Sequence, residues 1–319
     1  MAETGVAAPD LAELEAAAAR LRPVLVRTPL VPLHGHDDDG RILLKLEIHQ
    51  AVGCFKTRGV YHAVSRLSPA ERARGLSTVS AGNTAKALAW CGRRFGVPAR
   101  SLMPESAPAT KIEAVERYGA TPVLVPTAEV FRYLKEHGWE DEPYAFIHPW
   151  TNRDVMLGHG SMGLEILDDC PAADAVYVPV GGGGLLGGVG SALKASKPGI
   201  RIIAVEPAGC PALSASLAAD RPTSVDCRTM CDGVAVPYIT DEMFPLLRSL
   251  VDDVALVSED DVRATIRALV AGNHIVAEGS GALAVAAATA RRTERDTTSV
   301  CIVSGGSIDA ATLADILAA

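Results

Sequence analysis

The sequence predicts an α/β protein with two open, twisted, mostly parallel sheets, a large one and a small one, flanked by helices. Short apolar runs alternate with helical patterns from about residue 75 to residue 150, with connections of a few residues. This alternation is typical of βαβ units, whose strands pair in parallel. The Val-rich run 176–180 stops at four consecutive glycines and continues with helical spacing. That pattern indicates a buried strand, a tight turn and a helix.

Helical periodicity and short apolar runs define the remaining elements. The predicted strands are 28–33, 41–47, 76–80, 100–103, 121–125, 144–148, 176–180, 201–205 and 299–303. Besides the helix after the glycines and a short one at the C-terminus, the predicted helices are 10–21, 84–95, 109–118, 129–137, 155–168, 211–219, 241–251, 259–271 and 279–290. Residues 221–237 lack periodicity and are predicted to form a surface segment. His34, His36 and the carboxylates 37–39 are interpreted as a solvated turn, so no metal is assigned there.

The size and charge of the chain limit its function. With 319 residues, it is long enough for two domains or one large α/β unit. We expect a large domain of residues 1–74 plus 151–319 and a small domain of residues 75–150. The formal net charge of −8 and the lack of a basic block argue against a nucleic-acid-binding protein and favour a small-molecule ligand.

Targeting signals and cysteine usage indicate a cytoplasmic protein without a membrane partner. The apolar runs are interrupted before they reach membrane-spanning length, and the N-terminus has no basic segment ahead of an apolar stretch. The seven cysteines are odd in number and scattered. Cys227 with Cys231 lacks a second pair at zinc-site spacing. Most of the cysteines are therefore expected to be reduced, buried, small apolar residues.

The four glycines, Gly181, Gly182, Gly183 and Gly184, form the glycine loop, and this loop predicts an anion site. Glycines let the backbone approach a ligand, and the free N–H groups of the helix that follows point toward it. Part of this run also fits the dinucleotide pattern G-x-G-x-x-G, with Glu206 at the distance of a ribose carboxylate. From this stretch alone, a nucleotide and another phosphate ligand are equally good interpretations, and a purely structural turn is a third.

Two further stretches begin predicted helices with reactive or polar residues. Lys56 stands at a helix N-terminus, where the dipole lowers the pKa of its amine and makes it a better nucleophile. An ordinary exposed lysine is the alternative. The SAGNT turn, defined as Ser80, Ala81, Gly82, Asn83 and Thr84, precedes the helix 84–95. It could receive a carboxylate or be a plain N-cap.

These stretches and a fourth, the SGGS turn of residues 304–307, follow strands or loops of the predicted sheets. In open α/β sheets, ligands bind at the carboxyl edge of the strands, so we expect the four stretches to converge. A reactive lysine beside a phosphate site suggests pyridoxal phosphate, because this cofactor needs an amine for its aldehyde and an anion site for its phosphate.

The motifs GCFKTRG, SAGNTAKALA, PVGGGGLLGG and IVSGGSID occur in this order. Together they closely resemble those of the fold-type II (tryptophan-synthase-like) pyridoxal-phosphate enzymes. Within them, the chain is similar to the threonine/serine dehydratase and serine racemase group, from about residue 20 to the end. The resemblance implies the PLP fold type II, a large domain that binds the cofactor, a small domain that closes over an amino-acid substrate, and a homodimer.

The resemblance also implies a role for each matching residue. Lys56 resembles the lysine that forms the Schiff base and removes the α-proton, and Phe55 the residue beside the cofactor ring. Asn83 resembles the group that hydrogen-bonds the ring hydroxyl, while the SAGNT turn would hold the substrate carboxylate. The glycine loop with Leu185 would hold the phosphate. Ser304 resembles the partner of the pyridine nitrogen, and a neutral hydroxyl there suits β-elimination.

Departures from the family pattern concern the subtype. Ala81 stands where racemases of this group carry a serine, which favours a dehydratase that converts an L-β-hydroxy amino acid to a 2-oxo acid and ammonia. Thr84 replaces the usual His of dehydratases and leaves β-replacement, as in cysteine synthase, as an alternative. Cys54 and Ser307 also depart from the pattern. A racemase and a non-catalytic ligand-binding relative stay open as further alternatives.

The resemblance also predicts which additional sites are missing. Some relatives bind a divalent cation through a Glu and an Asp six residues later, but here Glu206 is followed at that distance by Ala212. We therefore expect that cation site to be absent or weak. We also expect no regulatory domain beyond residue 319.

Overall fold

The computed structural model describes residues 5–34, 41–291 and 297–319. The strands are β1 Leu30–Pro32, β2 Ile42–Leu46, β3 Leu76–Val79, β4 Ala99–Pro104, β5 Thr121–Val125, β6 Ala145–Phe146, β7 Ala175–Pro179, β8 Arg201–Pro207, β9 Asp253–Val257 and β10 Ser299–Val303. The helices are α1 Leu11–Leu21, α2 Lys56–Arg66, α3 Pro69–Ala73, α4 Asn83–Phe95, α5 Ala109–Tyr118, α6 Thr127–Lys135, α7 Arg153–Asp169, α8 Gly184–Ser196, α9 Ala212–Ala219, α10 Phe244–Leu250, α11 Glu259–Ala268, α12 Gly279–Ala290 and α13 Ala310–Ala318. Single turns of 3₁₀ helix cover Glu47–His49 and Asp232–Val234, and a π-helical turn covers Leu269–Asn273. Of the turn interpreted above as solvated, only His34 lies within the described residues.

The strands form two sheets, as the sequence predicts. The large sheet has six strands in the order β1-β2-β10-β7-β8-β9, and the small sheet has four in the order β5-β4-β3-β6. All neighbouring strands pair in parallel except β1 and β2. In parallel sheets the carboxyl ends of the strands lie at one edge, so the turns after β3, β7 and β10 lie where ligands bind in such folds.

The helices α7 and α8 pack with their backbones in contact, which fixes the position of the glycine loop. A Cβ atom on Gly188 of α8 would lie 2.2 Å from the carbonyl oxygen of Met156 of α7. Only glycine therefore permits this approach. Leu186 and Val189 of α8 are completely buried in the apolar core against the large sheet. The N-terminus of α8 is thus held rigidly at the end of β7.

After residue 220, the structure differs from the prediction in two features. Strand β9 was not predicted, and it forms one edge of the large sheet beside β8. Residues 221–237 are not a surface segment throughout, because Cys231 and Val234 are buried in the core under the large sheet. The backbone of this segment packs against glycines: a Cβ atom on Gly209 would lie 2.0 Å from the carbonyl oxygen of Arg228.

The cysteines follow the prediction in part. Cys210 and Cys227 form a disulfide, which joins the end of β8 to the segment 221–237. The other five cysteines are free and buried, as expected for small apolar residues. None of the described helices has the length and apolar character needed to cross a bilayer.

Candidate active site

Backbone contacts bring the residues around Lys56 together with the SGGS turn. The N–H of Phe55 donates a hydrogen bond to the carbonyl oxygen of Ser304 at 3.0 Å, and the N–H of Gly306 donates to that of Gly53 at 3.0 Å. Cys54 and Gly305 form an isolated antiparallel bridge between these contacts. The segment before α2 therefore continues the sheet edge at the end of β10, and Lys56 begins the helix directly behind it.

The glycine loop joins the same site through the 3₁₀ turn Asp232–Val234. A Cβ atom on Gly181 would lie 2.9 Å from the Cα of Val234. In the same way, a Cβ atom on Gly233 would lie 2.9 Å from the Oγ of Ser280 at the start of α12. Phe55 also belongs to the same apolar cluster as Leu185. A Cβ atom on Gly305 would lie 3.3 Å from the Nδ2 of Asn83, so the SAGNT turn reaches the SGGS turn. The structure thus brings together the four stretches that were expected to converge.

Lys56 is the first residue of α2, and its amine is easily deprotonated. Burial is the largest effect and lowers the pKa of Lys56 to about 8, while Cys54 and Glu278 oppose this shift. The predicted direction is confirmed, although burial rather than the helix dipole is the main cause. The Nζ atom lies 4.8 Å from the centroid of the Phe55 ring. Within the described residues, it makes no hydrogen bond or ion pair, so the amine is available for covalent chemistry.

The glycine loop has the geometry of an anion site. Gly183 precedes α8 with φ of 92°, and no side chain caps the helix. Trp150 covers the loop from behind, since a Cβ atom on Gly182 would lie 2.4 Å from its ring and one on Gly184 would lie 2.9 Å from its Cα. The first N–H groups of α8 have no helical acceptors, and the positive end of the helix dipole lies beside them. These features fit the phosphate of pyridoxal phosphate.

We expect alanine at position 183 to damage this site. The left-handed backbone of Gly183 costs a residue with a side chain about 1 to 2 kcal/mol, and its Cβ atom would lie 2.5 Å from Cδ1 of the buried Leu247. Because the loop must shift, the affinity for pyridoxal phosphate should fall by about tenfold or more. Fluorescence titration of the cofactor measures this. Gly199→Ala is the matched control, because a Cβ atom there meets nothing within 4 Å. Equal affinities of the two variants would contradict the assignment.

The SAGNT turn follows β3 and opens α4. The Oγ of Ser80 accepts a hydrogen bond from the N–H of Gly82 at 3.1 Å, which holds the turn, and Ala81 packs beside it in an apolar cluster. Helix α4 begins at Asn83 without a side-chain cap, so its first N–H groups can bind a carboxylate. Thr84 is buried.

Ser304 is buried at the end of β10, and only 3% of its surface is exposed. Its hydroxyl donates a long hydrogen bond of 3.3 Å to the carbonyl oxygen of Ser280. The oxygen of a hydroxyl that donates in this way can still accept or exchange partners. A neutral hydroxyl thus belongs to the residue whose carbonyl oxygen accepts the N–H of Phe55, directly before Lys56. The resemblance assigns this hydroxyl to the pyridine nitrogen.

Glu206 has a different role from the cation ligand considered above. Its carboxylate accepts the N–H groups of Leu213 at 2.7 Å and Ser214 at 2.8 Å, at the start of α9. Burial raises the pKa of Glu206 to about 7, against the effect of these two donors. Both carboxylate oxygens are therefore engaged by the helix. Among the described residues, no group of three His, Cys, Asp or Glu side chains is placed to hold a metal ion.

Two residues that line this site, Glu278 and Trp150, were not predicted from the sequence. Glu278 precedes α12, and its Oε1 accepts a hydrogen bond of 2.8 Å from the Nδ2 of Asn83. Its position directly before an almost wholly apolar helix was the only available signal. Trp150 covers the glycine loop, and its large ring just after a predicted strand carried no functional signal.

Comparison with known proteins identifies the family. A family profile described as pyridoxal-phosphate dependent enzyme matches residues 21–305. The chain belongs to this family. Its cofactor is therefore pyridoxal phosphate, and the dinucleotide interpretation of the glycine loop is excluded. The predicted fold class, the resemblance and the enzymatic character are confirmed.

Individual relatives agree with this assignment. The chain is 36% identical over 305 residues to an L-threonine ammonia-lyase of Thermotoga maritima, covering 94% of this chain and 76% of that protein. It resembles the structure of maize serine racemase with a TM-score of 0.89 and 31% identity, covering 97% of both chains. It resembles the processed form of threonine deaminase isoform 2 from Solanum lycopersicum with a TM-score of 0.88 and 31% identity, covering 98% of this chain and 94% of that one.

Proposed function

We propose that this enzyme is a dehydratase, or ammonia-lyase, that converts an L-β-hydroxy amino acid of the threonine or serine type into a 2-oxo acid and ammonia. The observation that carries this proposal is the position of Lys56. Its amine has a lowered pKa, and the preceding residue, Phe55, is hydrogen-bonded to the backbone of Ser304 at the end of β10. The SAGNT turn and the glycine loop complete the proposed site. The names of the similar L-threonine ammonia-lyases and threonine deaminases support the same reaction.

The residues present fit the cofactor at each of its polar groups. The glycine loop and Leu185 would hold the phosphate, and Ser304 would contact the pyridine nitrogen. Asn83 would contact the ring hydroxyl, and Phe55 would lie beside the ring. When bound, pyridoxal phosphate supplies an aldehyde for the amine and a ring that takes up the electron pair left at the α-carbon. A neutral Ser304 hydroxyl leaves the ring nitrogen unprotonated, which favours loss of a β-substituent.

The chain's own residues perform the binding and the proton transfer. The free N–H groups of the SAGNT turn bind the substrate carboxylate and orient the α-carbon toward Lys56. The amine of Lys56, neutral in a large fraction of molecules above about pH 8, removes the α-proton. The β-hydroxyl then leaves with a proton as water. Hydrolysis of the resulting unsaturated amine consumes one water and gives the 2-oxo acid and ammonia, so the atoms balance.

We also propose the division of the chain into two domains. Residues 75–150 contain the whole small sheet, and residues 1–74 plus 151–319 contain the whole large sheet. Polar contacts join the two parts beside the site, since Lys111 of α5 pairs with Asp232 and Asn83 contacts Glu278. In this proposal the small domain closes over the substrate. The proposed assembly is a homodimer, and the proposed location is the cytoplasm.

A panel of amino acids tests the reaction. The holoenzyme should release 2-oxo acid and ammonia in equal amounts from L-threonine or L-serine, and should not release them from the D-enantiomers. The measurement is 2-oxo acid by a coupled dehydrogenase assay and ammonia by a separate assay. A panel of L-β-hydroxy amino acids that yields no 2-oxo acid would refute the proposal.

β-Replacement is a second candidate reaction, because the buried Thr84 replaces the His that is usual in dehydratases. In that case activity would require an activated serine together with a nucleophile, and the product would keep its amino group. Ala81 disfavours a racemase, because no side-chain hydroxyl is available at that position to donate a proton to the opposite face. The intact Lys56 disfavours a non-catalytic role.

A further inference from the structure

Asn83 and Lys86 lie three residues apart on α4, so their side chains are on the same face of the helix. Both contact the large-sheet part of the chain. The Nδ2 of Asn83 donates to the Oε1 of Glu278 at 2.8 Å, and the ammonium of Lys86 donates to the Oγ of Ser307. The N–H of Ser307 in turn donates to the Oε2 of Glu278 at 3.2 Å. These four residues form a connected polar group, called here the Glu278 network.

Glu278 is held tightly in this network. Its backbone N–H donates to the carbonyl oxygen of Gly305 at 3.0 Å, and only 6% of its surface is exposed. A Cβ atom on Gly305 would lie 2.4 Å from its Oε1, and one on Gly233 would lie 3.6 Å from the same atom. The carboxylate thus packs closely against the backbone of these two glycines, and its charge state acts directly on its hydrogen-bond partners.

An ionised carboxylate only accepts hydrogen bonds. The amide of Asn83 must therefore turn its Nδ2 toward Glu278 while that residue is charged. A protonated Glu278 could instead donate to the Oδ1 of Asn83, and the amide would then be reversed. The charge of Glu278 thus determines which atom of the Asn83 amide faces Glu278, the nitrogen or the oxygen, and which atom faces away from it.

Charged and titratable groups face Glu278 from several elements. Lys86 comes from α4, Asp232 from the 3₁₀ turn, and Lys56 and Cys54 from the start of α2, with Cys231 nearby. Burial is the largest effect and raises the pKa of Glu278 to about 7, and Asp232 adds to this. Lys86 opposes both. Glu278 would consequently change its charge close to neutral pH.

We propose that Glu278 is a positioning residue that orients the amide of Asn83 toward the cofactor, and that Lys86 keeps Glu278 ionised. This inference rests on the proposed place of Asn83 beside the ring hydroxyl. With Glu278 charged, Asn83 keeps one fixed orientation and one N–H of its Nδ2 remains for the cofactor. With Glu278 neutral, that orientation is lost and the cofactor is bound less tightly.

The affinity for pyridoxal phosphate, measured by fluorescence titration between about pH 5.5 and 9, tests this proposal without any turnover. In the unaltered protein the affinity should fall as the pH decreases through about 7. Lys86→Met removes the cation that favours the carboxylate, so this midpoint should move up by about one pH unit. Lys86→Arg keeps the cation and should leave the midpoint in place. Glu278→Gln should remove the component near pH 7 and leave only the component that belongs to Lys56, near pH 8.

Two controls separate positioning from stability. Glu206→Gln also removes a buried carboxylate whose pKa is raised to about 7. Glu206 does not contact Asn83, so the pH midpoint of cofactor affinity in this variant should equal that of the unaltered protein. Lys56 titrates in every variant. The test therefore compares the pH midpoint of cofactor affinity between variants and does not use its absolute value. If Glu278→Gln fails to fold, comparison of Lys86→Met with Lys86→Arg still tests the proposal.

A midpoint that is the same in folded Lys86→Met and in the unaltered protein would overturn the proposal. So would a component near pH 7 that persists in Glu278→Gln. Because cofactor affinity is measured without substrate, failure here leaves the amino-acid panel unaffected. Conversely, the enzyme could release no 2-oxo acid from the amino-acid panel while Lys86→Met shows a shifted pH midpoint of cofactor affinity. That result would refute the proposed reaction and support the positioning role of Glu278.

Discussion

Replacing Lys56 by alanine is expected to reduce 2-oxo acid formation by roughly 10³-fold or more, because the residue both binds the cofactor covalently and moves the α-proton. The measurement is 2-oxo acid release from the best substrate of the panel at saturating pyridoxal phosphate. Lys56 makes no hydrogen bond or ion pair within the described residues, so its truncation leaves no polar partner unsatisfied. The melting temperature of the cofactor-free protein should therefore change little, which separates loss of chemistry from loss of folding.

Lys135→Ala is the matched control for this experiment. Lys135 is exposed on α6, and its truncation should leave both activity and melting temperature unchanged. If Lys56→Ala retained most of the activity, the proposed chemistry would be wrong. A binding protein on the same scaffold, or another catalytic base, would then have to be considered.

Replacing Arg58 by methionine is expected to destabilise the protein by about 3 to 5 kcal/mol, since, among the described residues, it leaves the buried Glu47 without a cationic partner and leaves Glu165 paired only with Lys45. Only 1% of Arg58 is exposed. Its guanidinium donates to Glu47 at 2.8 and 2.9 Å and to Glu165 at 2.8 Å through each of two nitrogens. Arg58 follows Lys56 by two residues on α2, so this network also anchors the turn that carries the reactive amine. Chemical denaturation of the cofactor-free protein measures the free energy of unfolding.

Arg66→Met on the same helix is the control for Arg58→Met. Arg66 pairs with Asp154 at 3.3 Å, but 53% of its side chain is exposed. An exposed pair of this kind contributes less than about 1 kcal/mol. A similar loss of unfolding free energy in both variants would contradict the view that the buried Arg58 network holds α2 in place.

The sequence predicted the parts of the site whose residue types are dictated by backbone geometry. The glycine loop needs a left-handed residue at Gly183 and a close approach to Trp150, and only glycine meets both needs. Lys56 and the SAGNT turn begin helices, and the start of a helix is visible in local sequence. Convergence of these turns followed from the parallel strands, whose carboxyl ends share one edge.

The features that were missed depend on distant contacts or weak local patterns. The role of Glu278 depends on its hydrogen bond with Asn83, which lies 195 residues earlier in the chain. No local pattern in the sequence reveals such a contact. Strand β9 begins at Asp253 and exposes Leu256 at the edge of the sheet, and its alternation is too short to distinguish from a loop. Residues 221–237 are irregular, and part of this segment is buried through backbone contacts with glycines rather than through an apolar stripe.

Reduction of the pyridoxal-phosphate-supplemented protein with borohydride, followed by peptide mapping with mass spectrometry, tests the central claim most directly. We predict one covalent cofactor adduct, on the peptide that contains Lys56, and a much smaller yield in Gly183→Ala at limiting cofactor. An unmodified Lys56 peptide, or an adduct on a different lysine, would contradict it.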